Sequence, residues 1–250
     1  MIDFFKKLFS FFFKKPIEEK QVEKKEELKK EELKEEIKLW FPFADKSYSH
    51  QAKGEYKNKY PIGAVVHFTA GQDRNDQDAI DTITWGKEKG YGFFMIAPSG
   101  KVFQTMPLNK WGQHCGQSYY PNLGSDLSSK LVGIEIACAG LLESTPGGKM
   151  WRAWFGKEYL DRDGHPDDQV RYVQSSSWEC PTGHYKMYTK AQEDSLIKLL
   201  YWLKNNNPNV FSYDYVLGHH EVSPERKSDP GGSLSMPMKD LRKFLKTFQG

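Results

Sequence analysis

The sequence predicts an α/β fold, and three patterns lead to that prediction. Residues 62–68 and 132–138 are nearly continuous apolar runs, which are typical of strands buried on both faces of a sheet. Residues 92–96 and 101–106 flank a Pro-Ser-Gly turn, which is the pattern of a β-hairpin. Helical patterns alternate with these strands along the chain, as they do in α/β proteins.

The remaining elements follow from local patterns. Residues 76–88 have the composition of a helix. Thr189 and Gln192 have the spacing of a capping box, and the leucines at 196, 199, 200 and 203 then mark one apolar helix face. Residues 215–218 predict a last strand that delivers His219, and residues 238–248 predict a closing helix.

Three regions differ in composition. Residues 1–15 place phenylalanines at helical spacing among lysines, which predicts an amphipathic helix that either lies on a membrane surface or docks on a protein. The lysines interrupt the apolar run and no small-residue cleavage site follows, so a cleaved signal peptide is not expected. Residues 16–40 alternate Glu and Lys, as expected of a helical or disordered spacer. We expect a single globular domain over 41–250, with an insertion at about 141–188 that is rich in Gly, Pro, Trp and Tyr.

Composition excludes several classes of protein. With 36 basic and 33 acidic residues the net charge is only +3, so the charges are balanced and no nucleic-acid partner is expected. No apolar run approaches the roughly 20 residues that a membrane-spanning helix needs. The three cysteines, Cys115, Cys138 and Cys180, form neither a disulfide framework nor a metal-binding Cys-x-x-Cys pattern.

Two histidines stand where apolar strands end. His67 closes one apolar run, His219 closes another, and Asp229 follows ten positions later. A single histidine at a strand end is more often structural than metal-binding. Two of them with a nearby aspartate favour zinc, because catalytic zinc sites take three nitrogen or oxygen ligands and keep one position open.

Glu135 interrupts the apolar run at 132–138 with an ionisable side chain. It either faces solvent on a one-sided strand or lies in a partly apolar site, where its pKa is raised and it can act as a general base. The residues alone leave both interpretations open.

Four segments together resemble the zinc-dependent N-acetylmuramoyl-L-alanine amidases of the type-2 amidase and peptidoglycan recognition protein superfamily. In chain order they are Val65-Val66-His67-Phe68-Thr69, Gly112-Gln113-His114-Cys115-Gly116, Val132-Gly133-Ile134-Glu135 and Gly218-His219-His220-Glu221-Val222-Ser223-Pro224-Glu225-Arg226-Lys227-Ser228-Asp229-Pro230-Gly231. The resemblance covers about residues 55–235, and the last segment is the most specific. It implies a single mixed central β-sheet flanked by helices.

The resemblance also implies roles for particular residues. Zinc would be bound by His67, His219 and Asp229, with His220 as the competitor for the second position. Glu135 would be the general base and Lys227 the cation that stabilises the transition state. His114 and Trp111 would border the substrate groove, although a packed tryptophan and a surface histidine are the plain alternatives.

The implied function is hydrolysis of the bond between N-acetylmuramic acid and L-alanine in peptidoglycan or muropeptides, by a monomeric catalytic domain of the bacterial cell envelope or of a phage. Two rival functions stay open, a peptidoglycan-binding module without catalysis and a membrane-targeting protein that acts through residues 1–38. The chain departs from several relatives at Gly92, where they have a catalytic tyrosine, and Tyr91 receives no role. The aromatic residues of the insertion form either a wall for the substrate or plain loop packing; they are Trp151, Trp154, Tyr159, Tyr172 and Trp178.

Overall fold

A computed structural model describes residues 39–147, 150–160 and 170–247. The chain divides into two units, and the fold described below is that of the second, Phe41–Gly250. The predicted amphipathic helix at 1–15 and the spacer up to residue 38 lie outside the described residues. Within the described part, no helix is both long and apolar enough to cross a membrane.

The described chain alternates short strands with helices. In chain order the elements are β1 Ala44–Asp45, β2 Gly54–Glu55, β3 Gly63–Phe68, α1 Asp76–Lys89, β4 Phe93–Ile96, β5 Val102–Gln104, β6 Lys110–Trp111, β7 Tyr119–Tyr120, β8 Gly124–Ser125, β9 Leu131–Ile136, β10 Leu141–Ser144, β11 Trp151–Arg152, β12 Glu158–Tyr159, β13 Val170–Val173, α2 Ser175–Trp178, β14 Gly183–Lys186, α3 Lys190–Asn206, β15 Val216–Gly218, α4 His219–Val222 and α5 Met238–Thr247. The strands, the hairpin and the helices that were predicted within the described residues are present, with ends shifted by one or two residues.

The central sheet has six strands in the order β1-β5-β4-β9-β3-β15. The strands β4, β9, β3 and β15 run parallel, whereas β5 is antiparallel to β4, so the predicted mixed sheet flanked by helices is confirmed. Its inner strands are buried on both faces, which explains why their sequences are continuous apolar runs. Because β9, β3 and β15 are parallel, their carboxyl ends meet at one edge, where open α/β sheets bind their ligands.

The register between β3 and β9 places His67 directly beside Glu135. Neighbouring residues in register on adjacent strands project from the same face of a sheet. The metal-ligand candidate and the base candidate therefore leave the sheet side by side, at the edge to which β15 also delivers His219.

Helix α3 is fixed to the central sheet at its first turn. The predicted capping box is present, since the hydroxyl of Thr189 accepts a hydrogen bond from the backbone N–H of Gln192 and the side chain of Gln192 accepts one from the backbone N–H of Thr189. The amide nitrogen of Gln192 also donates to the carbonyl of Ala137, 2.7 Å away and just beyond β9. The helix buries the predicted leucine face against the sheet.

Replacing Gln192 with alanine should therefore destabilise the domain. The change removes half of the capping box and leaves the buried carbonyl of Ala137 without its donor, which costs about 1–3 kcal/mol. Urea denaturation followed by circular dichroism measures the loss. Gln77→Ala is the matched control, because Gln77 is exposed near the start of α1 and its side-chain amide donates to Asp81 on the helix surface. Equal stability of both variants would contradict the role of Gln192.

The segment at 141–188 adds a second sheet to the fold. Its five short antiparallel strands lie in the order β12-β11-β10-β14-β13. Tyr159 and Tyr185 are buried in this unit, whereas Trp154 is 76% exposed and Tyr172 is 52% exposed. The interpretation as loop packing therefore applies to Tyr159, which is buried. Trp154 is at the surface and is available for the other interpretation, a wall for the substrate.

Candidate metal centre and active site

Three donor atoms converge at the carboxyl-terminal edge of the central sheet. Nδ1 of His67 lies 2.9 Å from Nδ1 of His219 and 3.0 Å from Oδ2 of Asp229. Nδ1 of His219 lies 2.9 Å from the same carboxylate oxygen. All three side chains are buried, so the structure brings together the three residues that the sequence predicted as metal ligands.

The geometry fits a zinc ion. Ligand atoms that each lie about 2 Å from one ion are about 3 Å from one another, which matches the spacing of these donors. Two imidazole nitrogens and one carboxylate oxygen are a donor set that catalytic zinc sites use. His67, His219 and Asp229 could therefore hold a metal ion.

The electrostatics of His67 and Asp229 agree with metal binding. Burial, reinforced by the neighbouring His219, lowers the pKa of His67 to about 3, so that this ring is neutral. Burial acts to raise the pKa of Asp229, but its hydrogen bonds with His219 and His67 outweigh burial and hold that pKa below the ordinary value. A neutral imidazole and an ionised carboxylate are the forms that bind a metal.

Surrounding hydrogen bonds orient these donors. Nε2 of His219 lies 3.1 Å from the carbonyl of Cys115, to which it can donate, and this leaves Nδ1 as the free lone pair. The carbonyl of Asp229 accepts from the backbone N–H of His220 and from its ring Nδ1, each at 2.9 Å. His220, the competing candidate, therefore holds the Asp229 backbone and offers no donor atom to the cluster.

Glu135 lies in the groove beside the three donors. Burial, followed by repulsion from Asp229, raises the pKa of Glu135 well above its ordinary value, while Lys227 acts in the opposite direction. Of the two interpretations that the sequence left open, the structure favours a carboxyl in a partly apolar site over one that faces solvent. Such a group can take up a proton from a neighbouring water molecule.

The groove over the donors has a volume of about 590 Å³. Besides the donors, its walls include Glu135, Lys227, His114, Trp85 and Tyr91. Tyr91, to which the sequence assigned no role, thus reaches the groove, where its ring lies edge-to-face against Trp85 at 5.5 Å. Trp85 was missed, because a tryptophan in an amphipathic helix carries no signal that separates a groove wall from ordinary packing.

The two predicted substrate-binding residues are placed differently. His114 reaches the groove, but its Nδ1 lies 3.1 Å from Nε2 of His67 and its Nε2 lies 2.9 Å from the carbonyl of Leu131. Trp111 lies on β6 and packs so closely over Gly54 that a Cβ added there would be 2.8 Å from the indole nitrogen. Trp111 is absent from the residues that line the groove, so its geometry favours the packing alternative.

Arg226 is a further residue that sequence reasoning missed. Its guanidinium donates to the carbonyls of Cys115 and Gln117, each at 2.9 Å, and to the hydroxyl of Ser223 at 3.1 Å. It thereby ties the loop that carries His114 to the loop that carries Lys227. Its position next to Lys227 in the last motif was the only available signal.

The insertion touches the loop that follows β3. The indole nitrogen of Trp154 donates to the carbonyl of Ala70, 2.5 Å away, and Ala70 is part of the groove wall. Lys157 and Tyr159 contact Asp73 of the same loop, at 3.0 and 3.1 Å. The second sheet therefore supports one rim of the groove.

Comparison with known proteins assigns the chain to a family. The model of the Amidase_2 family, N-acetylmuramoyl-L-alanine amidase, matches residues 57–232. A search of curated proteins finds no significant match. Among solved structures, a selenomethionine derivative of AmpD is similar at 19% identity and a TM-score of 0.50, over 78% of this chain and 92% of that one. At this identity the likeness concerns the fold.

Two further structures resemble the chain. AmiD from E. coli, solved in a complex with anhydro-N-acetylmuramic acid-L-Ala-D-γ-Glu-L-Lys, is 18% identical with a TM-score of 0.48, over 78% of this chain and 60% of AmiD. The endolysin LysCS from Clostridium intestinale URNW is 18% identical with a TM-score of 0.45, over 83% of this chain and 98% of LysCS. Because the family model spans more than half of the sequence, the chain belongs to the N-acetylmuramoyl-L-alanine amidase family.

Proposed function

We propose that this protein hydrolyses the amide bond between N-acetylmuramic acid and L-alanine of peptidoglycan in a zinc-dependent reaction. The observation that carries the proposal is the convergence of His67, His219 and Asp229 in a groove that also contains Glu135 and Lys227. Family membership supports the bond that is cut. The chemistry of the donors supports the metal.

In this proposal His67, His219 and Asp229 hold the ion. When bound, zinc would supply a Lewis acid that lowers the pKa of a water molecule and polarises the lactyl carbonyl of the substrate. The protein's part is to keep the ring of His67 neutral, which burial does, and the carboxylate of Asp229 ionised, which its contacts with the two histidines do against burial.

In this proposal Glu135 transfers the proton, and Lys227 stabilises the negative charge of the oxyanion. Glu135 accepts a proton from the attacking water and passes it to the departing amine of L-alanine, so that the carboxylate is regenerated. Lys227, half-buried at the groove, offers a fixed positive charge to the oxyanion that forms on the carbonyl carbon. The attack forms a C–O bond, and collapse of the tetrahedral species breaks the C–N bond.

Incubation of the protein with purified muropeptides, with and without a chelator, tests this function. We expect release of free stem peptide, its loss on chelation and its recovery when zinc is added back. Chelator-insensitive release would contradict the zinc dependence. Binding of muropeptides without any release would instead support the rival function, a peptidoglycan-binding module.

Replacing Lys227 with alanine should lower kcat and leave the metal bound. A fixed donor to an oxyanion is worth about 2.7–4 kcal/mol of transition-state stabilisation, which corresponds to about a 10²–10³-fold loss. Steady-state kinetics together with metal analysis check this result. Lys130→Ala is a control of the same type, because Lys130 donates to two backbone carbonyls, those of Leu123 and Ser125, and does not line the groove. Loss of zinc in the Lys227 variant would contradict the assigned role.

A further inference from the structure

Two successive polar contacts link His67 through the ring of His114 to the backbone of Leu131. Nε2 of His67 lies 3.1 Å from Nδ1 of His114, and Nε2 of His114 lies 2.9 Å from the carbonyl of Leu131. The opposite nitrogen of His67, Nδ1, faces His219 and Asp229. His114 thus contacts His67 on the side away from the proposed ion.

We propose that His114 is a positioning residue, which fixes the tautomer of His67 in the form that binds metal. This inference rests on the zinc site of the proposed function and assigns His114 a role other than substrate contact. The carbonyl of Leu131 can only accept a hydrogen bond, so Nε2 of a neutral His114 carries the proton and Nδ1 is an acceptor. That acceptor receives the Nε2 proton of His67, and Nδ1 of His67 is left as a bare lone pair.

The competing tautomer of His67 shows why an acceptor is needed. Asp229 Oδ2 lies 3.0 Å from Nδ1 of His67 and would accept a proton carried there. A proton on Nδ1 removes the lone pair that the metal requires. Apart from His114, the acceptors that the described part of the chain offers to a His67 ring proton, Oδ2 of Asp229 and Nδ1 of His219, both lie at Nδ1, whereas His114 provides an acceptor at Nε2.

The neighbouring strand is shaped to hold the ring of His114. A Cβ built on Gly133 of β9 would lie 2.6 Å from Cγ of His114 and 3.0 Å from its Nδ1. Real side-chain atoms do not approach this closely, so His114 can lie against β9 only because residue 133 is glycine. Both ring nitrogens are engaged within the protein, and a polar bond to substrate would break one of these contacts.

Zinc affinity of two histidine replacements tests the inference. In His114→Asn the side-chain oxygen can occupy the place of Nδ1 and still accept from His67, whereas in His114→Gln the amide reaches toward Leu131 but leaves no acceptor at that place. Competition titration with a chromophoric chelator measures the affinity of the full chain. We expect a loss of about 10–100-fold for His114→Gln and a clearly smaller loss for His114→Asn. Equal losses, or wild-type affinity in both variants, would overturn the proposal.

A spectroscopic signature separates positioning from a merely structural role. In the zinc-loaded wild type, ¹⁵N-edited proton NMR should show a slowly exchanging, downfield Nε2–H of His67. This signal should disappear in His114→Gln and persist in His114→Asn. Gly133→Ala provides a second route, because it displaces His114 without changing its chemistry, and it should lower zinc affinity in the same direction. Absence of the signal in the zinc-loaded wild type would contradict the inference.

The outcomes for the inference and for the proposed function are distinct. If the wild type binds no zinc, both fail. If the wild type binds zinc and all His114 and Gly133 variants bind it equally well, only the role of His114 fails. Thermal denaturation of each metal-free variant shows whether a loss of affinity arises from a folding defect instead.

Discussion

Replacing Glu135 with glutamine should lower kcat by about 10²–10⁴-fold, the usual contribution of a positioned general base. The amide has the shape of the carboxyl group but cannot accept the proton of the attacking water. Glu135 is not among the three donors that converge on the proposed ion, so bound zinc should be unchanged. Steady-state kinetics on a soluble muropeptide and metal analysis of the same preparation measure both quantities.

The fold of this variant should be intact. Burial and the neighbouring Asp229 both disfavour the ionised form of Glu135, and a neutral amide removes both costs, so the Tm should not fall. Glu143→Gln is a matched control, because Glu143 lies on an exposed position of β10. Full activity of the Glu135 variant would exclude its role as the base. Loss of zinc together with activity would identify Glu135 as part of the metal site.

Much of the fold could be predicted because the central strands are buried on both faces. The apolar runs that form β3 and β9 interrupt a polar sequence, so these two strands could be located from their own sequence without knowledge of the neighbouring strands. The polar residues at their ends, His67 and Glu135, then stood out against that background. The parallel arrangement of the strands explains why residues distant in sequence meet at one edge.

The second sheet could not be predicted in the same way. Its strands are two to four residues long, too short for an alternating pattern to appear. The role proposed for His114 was also hidden, because it depends on the space that Gly133 of β9 leaves for the His114 ring and on the contact of that ring with His67. Trp111 was placed at the groove by resemblance alone, and the structure packs it over Gly54.

Replacing His67 with alanine should remove both zinc and activity, in contrast to the Glu135 variant. The loss leaves two donors, His219 and Asp229, and a cavity on the side of β3, so that no three-ligand site remains. Zinc at about 100 times its Kd should stabilise the wild type by about 2.7 kcal/mol, which raises the Tm by about 5–10 °C for a domain of this size. The variant should show no such shift.

The Tm shift is the informative measurement for this variant, because it does not depend on turnover. The metal-free His67 variant must first melt cooperatively, which shows that it folds. His184→Ala is the matched control, since His184 lies on β14, stacked on Trp151 in the second sheet, and should keep the zinc-dependent shift. A stoichiometric zinc content in the His67 variant would exclude this residue as a ligand. A zinc-dependent shift that is lost in both variants would instead locate the effect of zinc outside the three-donor cluster. If the zinc-dependent Tm shift is lost in the His67 variant but kept in the His184 variant, folding, metal binding and catalysis are all linked to the edge of the central sheet where β3 and β15 end.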